Sequence, residues 1–347
     1  MHNDNIIILR GNEIASLLRG CELALVDVVR RAYEAHGRGE SSLPHSTFLR
    51  FPNQQRNRII ALPAYLGGEF ETAGIKWVSS FPGNLEKGLD RASAVVILNS
   101  AQTGRPEAIL EGSIISAKRT AASAALAAQC LHIGNETDRV GLIGCGLINF
   151  EIARFLLAVF PEIRSFIVFD TESDRAQRFR DKCLEIFANV DVTVAENSDA
   201  ILAGSSLVSF ATTSSEPYIF DFSRCSPGST VLHISLRDLA PEVILSCDNI
   251  VDDVDHVCRA QTSVHLAEQL VGHREFIRCS VADILSGAKP ARKNRDSIAI
   301  FSPFGLGILD LAVSKLVRDL GRERGQGSVI ESFLPDSWME EKRGTLV

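Results

Sequence analysis

Apolar positions recur at near-helical spacing between residues 12 and 36, where Leu17, Leu18, Leu25, Val28, Val29 and Ala32 precede the breakers Gly37 and Gly39. That pattern predicts one long helix. After a loop rich in Ser, Pro and Gln, the segments Arg58–Pro63, Ala73–Ser79 and the continuous run Ala94–Asn99 have β-type composition, and Ser116–Cys130 returns to an alanine-rich helix. The first third therefore reads as α+β with a strand-rich middle. From Arg139 onward a different rhythm sets in: RVGLIGCG, NFEIARFLLAVF, SFIVFD, a polar helix over Arg175–Phe187, then VTVA, continuing through Leu207–Thr212, Thr230–Ser235 and Asn249–Asp252. About six strands alternating with helices predict an α/β, doubly wound parallel sheet of Rossmann type.

The alternation places this Rossmann domain at residues 129–300. The stretch from Ile298 through a helix at Leu309–Leu320 has no sheet of its own to join, so residues 301–347 are assigned with 1–128 to a second unit. The length of 347 residues accommodates two domains of the usual ~150-residue size.

A hydrophobic fraction of 45% with 23% charged residues excludes a disordered chain. With 36 basic and 43 acidic side chains the net charge is −7, which gives no field to attract nucleic acid or an anionic membrane. Eight cysteines are scattered without any C-x-x-C, and Met1–Arg10 lacks the apolar block of a signal peptide. Reduced thiols in a cytoplasmic protein are the expectation. The histidines show no metal-ligand spacing, and no metal is expected.

The strongest local motif is Gly144-Cys145-Gly146-Leu147-Ile148-Asn149, between an apolar strand and an amphipathic helix. Two glycines there permit a tight turn and close approach of a pyrophosphate to the helix N-terminus. Asn149 replaces the third glycine, which weakens the match. The next strand ends at Asp170, placed to accept hydrogen bonds from an adenosine ribose and to repel the 2′-phosphate of NADP, so NAD is the expected cofactor. The plainer alternative is that Asp170 caps the helix that follows.

Which nicotinamide enzyme this is must come from the other unit. There the strings around Lys76 (GIKW), Arg119 (KRTAA) and the strand AVVILN, together with HISLRD (233–238) and FSPFGLG (301–307), resemble the ornithine cyclodeaminase/μ-crystallin family over most of the chain. The resemblance implies a Rossmann domain inserted into a substrate-binding and dimerisation domain, with the active site in the cleft between them and a homodimer as the assembly. It also implies residue roles. Lys76, Arg119 and Arg50 fall on the ligands of a substrate carboxylate, and Lys76 also stabilises developing charge. Asp238 falls on the catalytic acid/base. Thr120, Gly144, Gly146, Leu147, Ile148, Asp170 and Thr212 fall on the cofactor site. Taken singly, these residues also admit a snorkelling Lys76, an interdomain ion pair for Arg119 and a helix cap for Asp238. His233 either orients Asp238 or is a satisfied structural histidine.

Two departures from the cyclodeaminase pattern bear on the substrate. Ile60 stands where that enzyme has a glutamate, so a partner for an amine is missing. Arg91 stands where it has a threonine, adding a cation that suits extra carboxylates, unless it pairs on the surface with Asp90 or Glu86. Both departures, with RIIALPAYLGG, DRASAVVILN and the VDD of residues 251–253, resemble the SbnB-like dehydrogenases of 2,3-diaminopropionate biosynthesis in a siderophore pathway. That implies NAD-dependent oxidative hydrolysis of N-(1-amino-1-carboxy-2-ethyl)glutamate to 2,3-diaminopropionate and 2-oxoglutarate, coupled to a PLP-dependent synthase upstream. A cyclodeaminase, an amino-acid or ketimine dehydrogenase, and a μ-crystallin-like binding protein are the alternatives within the same family.

Overall fold

Two eight-stranded sheets carry the chain in the computed structural model, which describes residues 5–133 and 138–335. The first is mostly antiparallel and runs Ser328–Ile330, Ile6–Leu9, Pro106–Glu111, Ala92–Ser100, Thr72–Ser80, Gln54–Leu66 and Ser41–Ser42, with Thr47–Phe51 paired to Gln54–Leu66. One of its faces is covered. Ala64, Leu66, Val96, Leu98 and Leu110 are buried among the helices Glu22–Gly37, Ser113–Leu131 and Gly307–Glu323. On the other face lie Leu49 opposite Ile59 and Trp77 opposite Val95 on neighbouring strands, all partly exposed.

The second sheet is parallel throughout, in the order Asp191–Val194, Ser165–Phe169, Arg139–Ile143, Leu207–Phe210, Thr230–His233, Ala299–Ser302, Asp248–Val251 and Ile277–Ser280. Its first five strands follow the doubly wound order, and chain direction across the sheet reverses between Arg139–Ile143 and Leu207–Phe210, the switch point where such sheets bind ligands. The alanine-rich helix Ser113–Leu131 joins the two halves, packing on the Gly-turn helix Leu147–Val159 and on strands of both sheets. Its small side chains allow that close approach.

Three expectations change. The helix over residues 12–36 is two helices, Gly11–Leu17 and Glu22–Gly37, and the apolar spacing ran on through the turn because Leu17, Leu18 and Leu25 all enter the same core. The six strands of the parallel sheet become eight. The segment from Ile298 does have a sheet to join: Ala299–Ser302 lies between Thr230–His233 and Asp248–Val251, so the parallel sheet extends past residue 300 to Ser302. A four-residue run buried on both faces carries no periodicity to assign it. The charged tail beyond Pro335 lies outside the described residues, and no described helix is long and apolar enough to cross a membrane.

Candidate active site

The strand Arg139–Ile143 ends in Gly144, whose φ of +96° sets the turn; a Cβ there would sit 2.5 Å from the carbonyl oxygen of Ala211. Only glycine lets the two central strand ends lie this close. Gly146 caps the helix Leu147–Val159 and has open space where a Cβ would be. The free N–H groups of that helix start face the room a phosphate needs. Asn149, which looked like a flaw in the motif, fastens the turn: its Nδ2 donates to the carbonyls of Ile143 (2.9 Å) and Gly144 (2.8 Å), and its Oδ1 accepts from Ser209 Oγ (2.8 Å).

Asp170 holds the same loop from the next strand. Its Oδ2 accepts from the Cys145 N–H at 2.9 Å and its Oδ1 from the Glu172 N–H at 3.0 Å, with Arg175 Nη1 at 3.7 Å. It is not the helix cap of the plainer reading, since Glu172 occupies that position for Ser173–Ile186; it lines a cleft of about 480 Å³ with Gly144, Gly146, Arg175, Thr212 and Tyr218, where carboxylate oxygens keep further lone pairs. The cleft, the open Gly146 and the acidic strand end fit a dinucleotide. Leu147 has an exposed side chain (62%) and offers this site only its backbone. Cys145 is buried, and burial followed by the Asp170 charge pushes its thiol up to about 12, so it is not a reactive handle on the cofactor loop.

A second cavity of about 220 Å³ shares Ala211 and Thr212 with the first and continues to Thr120, Ile148, Ser235 and Arg119. Thr120 spends its hydroxyl on the Ser116 carbonyl (2.7 Å). Beside this cavity lies Asp238, buried, accepting from Thr212 Oγ1 and Ser235 Oγ, with His233 Nε2 3.3 Å from its Oδ2. Burial works to raise its pKa, but the hydrogen bond and charge of His233 and the bonds from Ser235 and Thr212 outweigh it and bring the carboxyl down to about 2. It is not a helix cap, since Ala240 occupies that position for Pro241–Ser246. His233 touches it directly while its Nδ1 lies 3.1 Å from Ser302 Oγ.

On the opposing wall Lys76 and Arg119 meet at a residue that the sequence reading passed over. Asp310, fully buried on the helix Gly307–Glu323, accepts from Lys76 Nζ (2.7 Å) and Arg119 Nε (3.1 Å). Lys76 is buried rather than snorkelling, and burial and the Arg119 charge lower its ammonium to about 8. Gly305, at φ +93°, leaves room for the Arg119 guanidinium, since a Cβ there would meet Nη1 at 2.9 Å. Its N–H and that of Phe304 donate to Asp252 of the VDD string (2.7 and 2.8 Å).

Arg50 lies over the Phe48 ring at 5.5 Å on the sheet face that carries Lys76. Arg91 is half-buried and, among the described residues, makes no ion pair with Asp90 or Glu86. Tyr218, also unforeseen, donates its backbone N–H to the Asp238 carbonyl (2.9 Å) and lines the larger cleft. The hint for Asp310 was a lone charge within the apolar run GILDLAV; nothing local marked Tyr218.

The sequence profile of the ornithine cyclodeaminase/mu-crystallin family matches residues 8–325. The N-((2S)-2-amino-2-carboxyethyl)-L-glutamate dehydrogenase of Staphylococcus aureus is 28% identical over 337 residues, 95% of this chain and 100% of that protein. Alanine dehydrogenase of Archaeoglobus fulgidus is 28% identical over 94% of this chain and 98% of that protein. Among solved structures, an archaeal alanine dehydrogenase dimer with bound NAD has a TM-score of 0.85 and 26% identity over 95% of this chain and 100% of that one.

Proposed function

The chain belongs to the ornithine cyclodeaminase/mu-crystallin family, and from that premise we propose that it is an NAD-dependent oxidoreductase acting on the CH–NH bond of an amino-acid substrate. The specific reading is oxidative hydrolysis of N-(1-amino-1-carboxy-2-ethyl)glutamate to 2,3-diaminopropionate and 2-oxoglutarate. One observation carries it: Arg119 shares a cavity with Thr212 and Ser235, the two hydroxyl partners of Asp238, so a carboxylate-binding cation and an anionic base flank the same space. The name of the Staphylococcus relative, a dehydrogenase of N-((2S)-2-amino-2-carboxyethyl)-L-glutamate, supports the substrate in this reading.

NAD, when bound along Gly144, Gly146 and Asp170, supplies the hydride acceptor. Lys76 and Arg119, spaced by Asp310, hold the carboxylate next to the reacting carbon. Once hydride transfer has turned the secondary amine into a protonated imine, Asp238, anionic at neutral pH, takes a proton from water as its oxygen adds to the imine carbon. The carbinolamine C–N bond then breaks as Asp238 returns that proton to the departing nitrogen, the hydroxyl proton leaves, and the carbonyl of 2-oxoglutarate remains. Ile60 puts no carboxylate beside a second amine, which leaves water as the nucleophile. The half-exposed apolar face with Leu49, Ile59, Trp77 and Val95 is the surface for a second copy of the chain. An upstream PLP-dependent synthase and a siderophore-type product complete the reading.

Incubation with NAD and the glutamate–diaminopropionate conjugate should yield NADH and 2-oxoglutarate in equal amounts, while ornithine should yield neither proline nor ammonia. Proline without net NADH would assign the protein to the cyclodeaminases, and reaction with alanine alone would assign it to the amino-acid dehydrogenases.

A further inference from the structure

Four arginines, Arg50, Arg58, Arg91 and Arg237, influence one another electrostatically in excess of the anions the protein offers them. Arg50 and Arg58 stand directly opposite each other on the antiparallel strands Thr47–Phe51 and Gln54–Leu66. Two like charges in that position destabilise a sheet when nothing negative joins them. The register also fixes their direction. Arg58 lies opposite Ser80, Ile60 opposite Val78 and Leu62 opposite Lys76, so Arg58 shares a face with Lys76, about four residues or roughly 13 Å away along the strand.

Arg91 joins from the residue before the strand Ala92–Ser100, where its carbonyl accepts from the Phe81 N–H. Arg237 comes from the other wall, next to Asp238, with Nη2 on the Ala260 carbonyl at 2.6 Å. All four belong to one electrostatic cluster. Burial and then Arg50 hold the Arg58 guanidinium below its usual range, burial and then Arg58 do so for Arg91, and burial, Arg58 and Arg50 do so for Arg237 against the pull of Asp238. Among the described residues no carboxylate pairs with Arg50, Arg58 or Arg91, and the buried Nε of Arg58 has no hydrogen-bond partner.

We infer that Arg58 and Arg237 complete, with Arg50 and Arg91, a pocket for the distal carboxylate of the substrate, making the cleft selective for dicarboxylic amino-acid units over monocarboxylic ones. The inference rests on the reading of this cleft as an amino-acid dehydrogenase site. One carboxylate binds at Lys76 and Arg119, and the chain between the carboxylates spans the apolar floor of Ile60 and Val78. The planar fork of arginine suits a terminal carboxylate, and a half-desolvated position strengthens each hydrogen bond to it.

The test is calorimetric titration of the protein–NADH complex with 2-oxoglutarate and with 2-oxobutyrate, which lacks the distal carboxylate. The wild type should prefer the diacid by at least about ten-fold, and Arg58→Gln and Arg237→Gln should each erode that preference about ten-fold, as loss of one charge-assisted hydrogen bond does. Affinity for NADH and for 2-oxobutyrate should hold, and Arg58→Lys should keep part of the preference. Absence of a diacid preference in the wild type, or its persistence in both folded Gln variants, would overturn the pocket. The reaction is tested separately: diacid selectivity without NADH from the conjugate removes the proposed reaction and keeps the pocket, whereas NADH formation with selectivity unmoved by the variants removes the pocket alone.

Discussion

Asp310→Asn separates a site anion from a merely structural one. Lys76 Nζ and Arg119 Nε bind its two oxygens at 2.7 and 3.1 Å. Burial and the Arg119 charge pull the Lys76 ammonium down to about 8, and the charge and hydrogen bond of Asp310 are what oppose them. A lost charge-assisted hydrogen bond is worth about 1.5–3 kcal/mol, which at ~1.4 kcal/mol per pKa unit lowers Lys76 by roughly one to two further units. At about pH 7.5 the wild-type lysine is then roughly three-quarters protonated, and the variant's only about 3–25%. Only the protonated form holds a carboxylate. Initial rates of NADH formation between about pH 5.5 and pH 9 should therefore show the alkaline limb of kcat/KM displaced downward by one to two units in the variant, with recovery toward acid pH. Stranding two buried cations also costs about 3–5 kcal/mol of stability, so melting is recorded alongside; unfolding lowers rates without moving the limb in this way. An alkaline limb at the same pH in both proteins would refute the role assigned to Asp310.

Asp238→Asn should bind NADH with wild-type affinity by calorimetry while turnover falls about 10²–10⁴-fold, because the amide keeps the shape and cannot take the proton; near-normal turnover would remove Asp238 from the chemistry. The joint between the two halves should respond to pH. His256 Nδ1 and His36 Nε2 meet Asp253 at 2.9 and 3.2 Å. The hydrogen bond to Asp253 raises His256, and despite burial the two histidines lower Asp253. A raised histidine contributes stability that is complete below its unfolded value near 6.5 and is lost as pH rises through the folded value. A lowered carboxyl contributes stability that is present above about 4 and is lost on further acidification. The melting temperature should thus fall as pH rises from about 6.5 through the folded value of His256, and His256→Gln should flatten that slope; an unchanged slope would dissociate stability from this contact.

What contiguous residues decide was legible in the chain itself. Strand–turn–helix alternation from Arg139, the Gly144–Gly146 turn and Asp170 at the next strand end are local patterns, since backbone geometry and the hydrogen bonds of a turn depend on neighbours in sequence. Lys76, Arg119 and Asp238 were legible only through likeness to a family, because each taken singly is an ordinary polar residue. Tertiary packing decided the rest. It placed Ala299–Ser302 between strands far away in sequence, brought Asp310 to both Lys76 and Arg119, set Tyr218 on Asp238, and aligned Arg50 with Arg58 by strand register. A buried charge is visible in sequence as an anomaly among apolar residues. Its partner is not, because the partner is chosen by which elements pack together, and burial then makes that one pairing far stronger than any it would have in water.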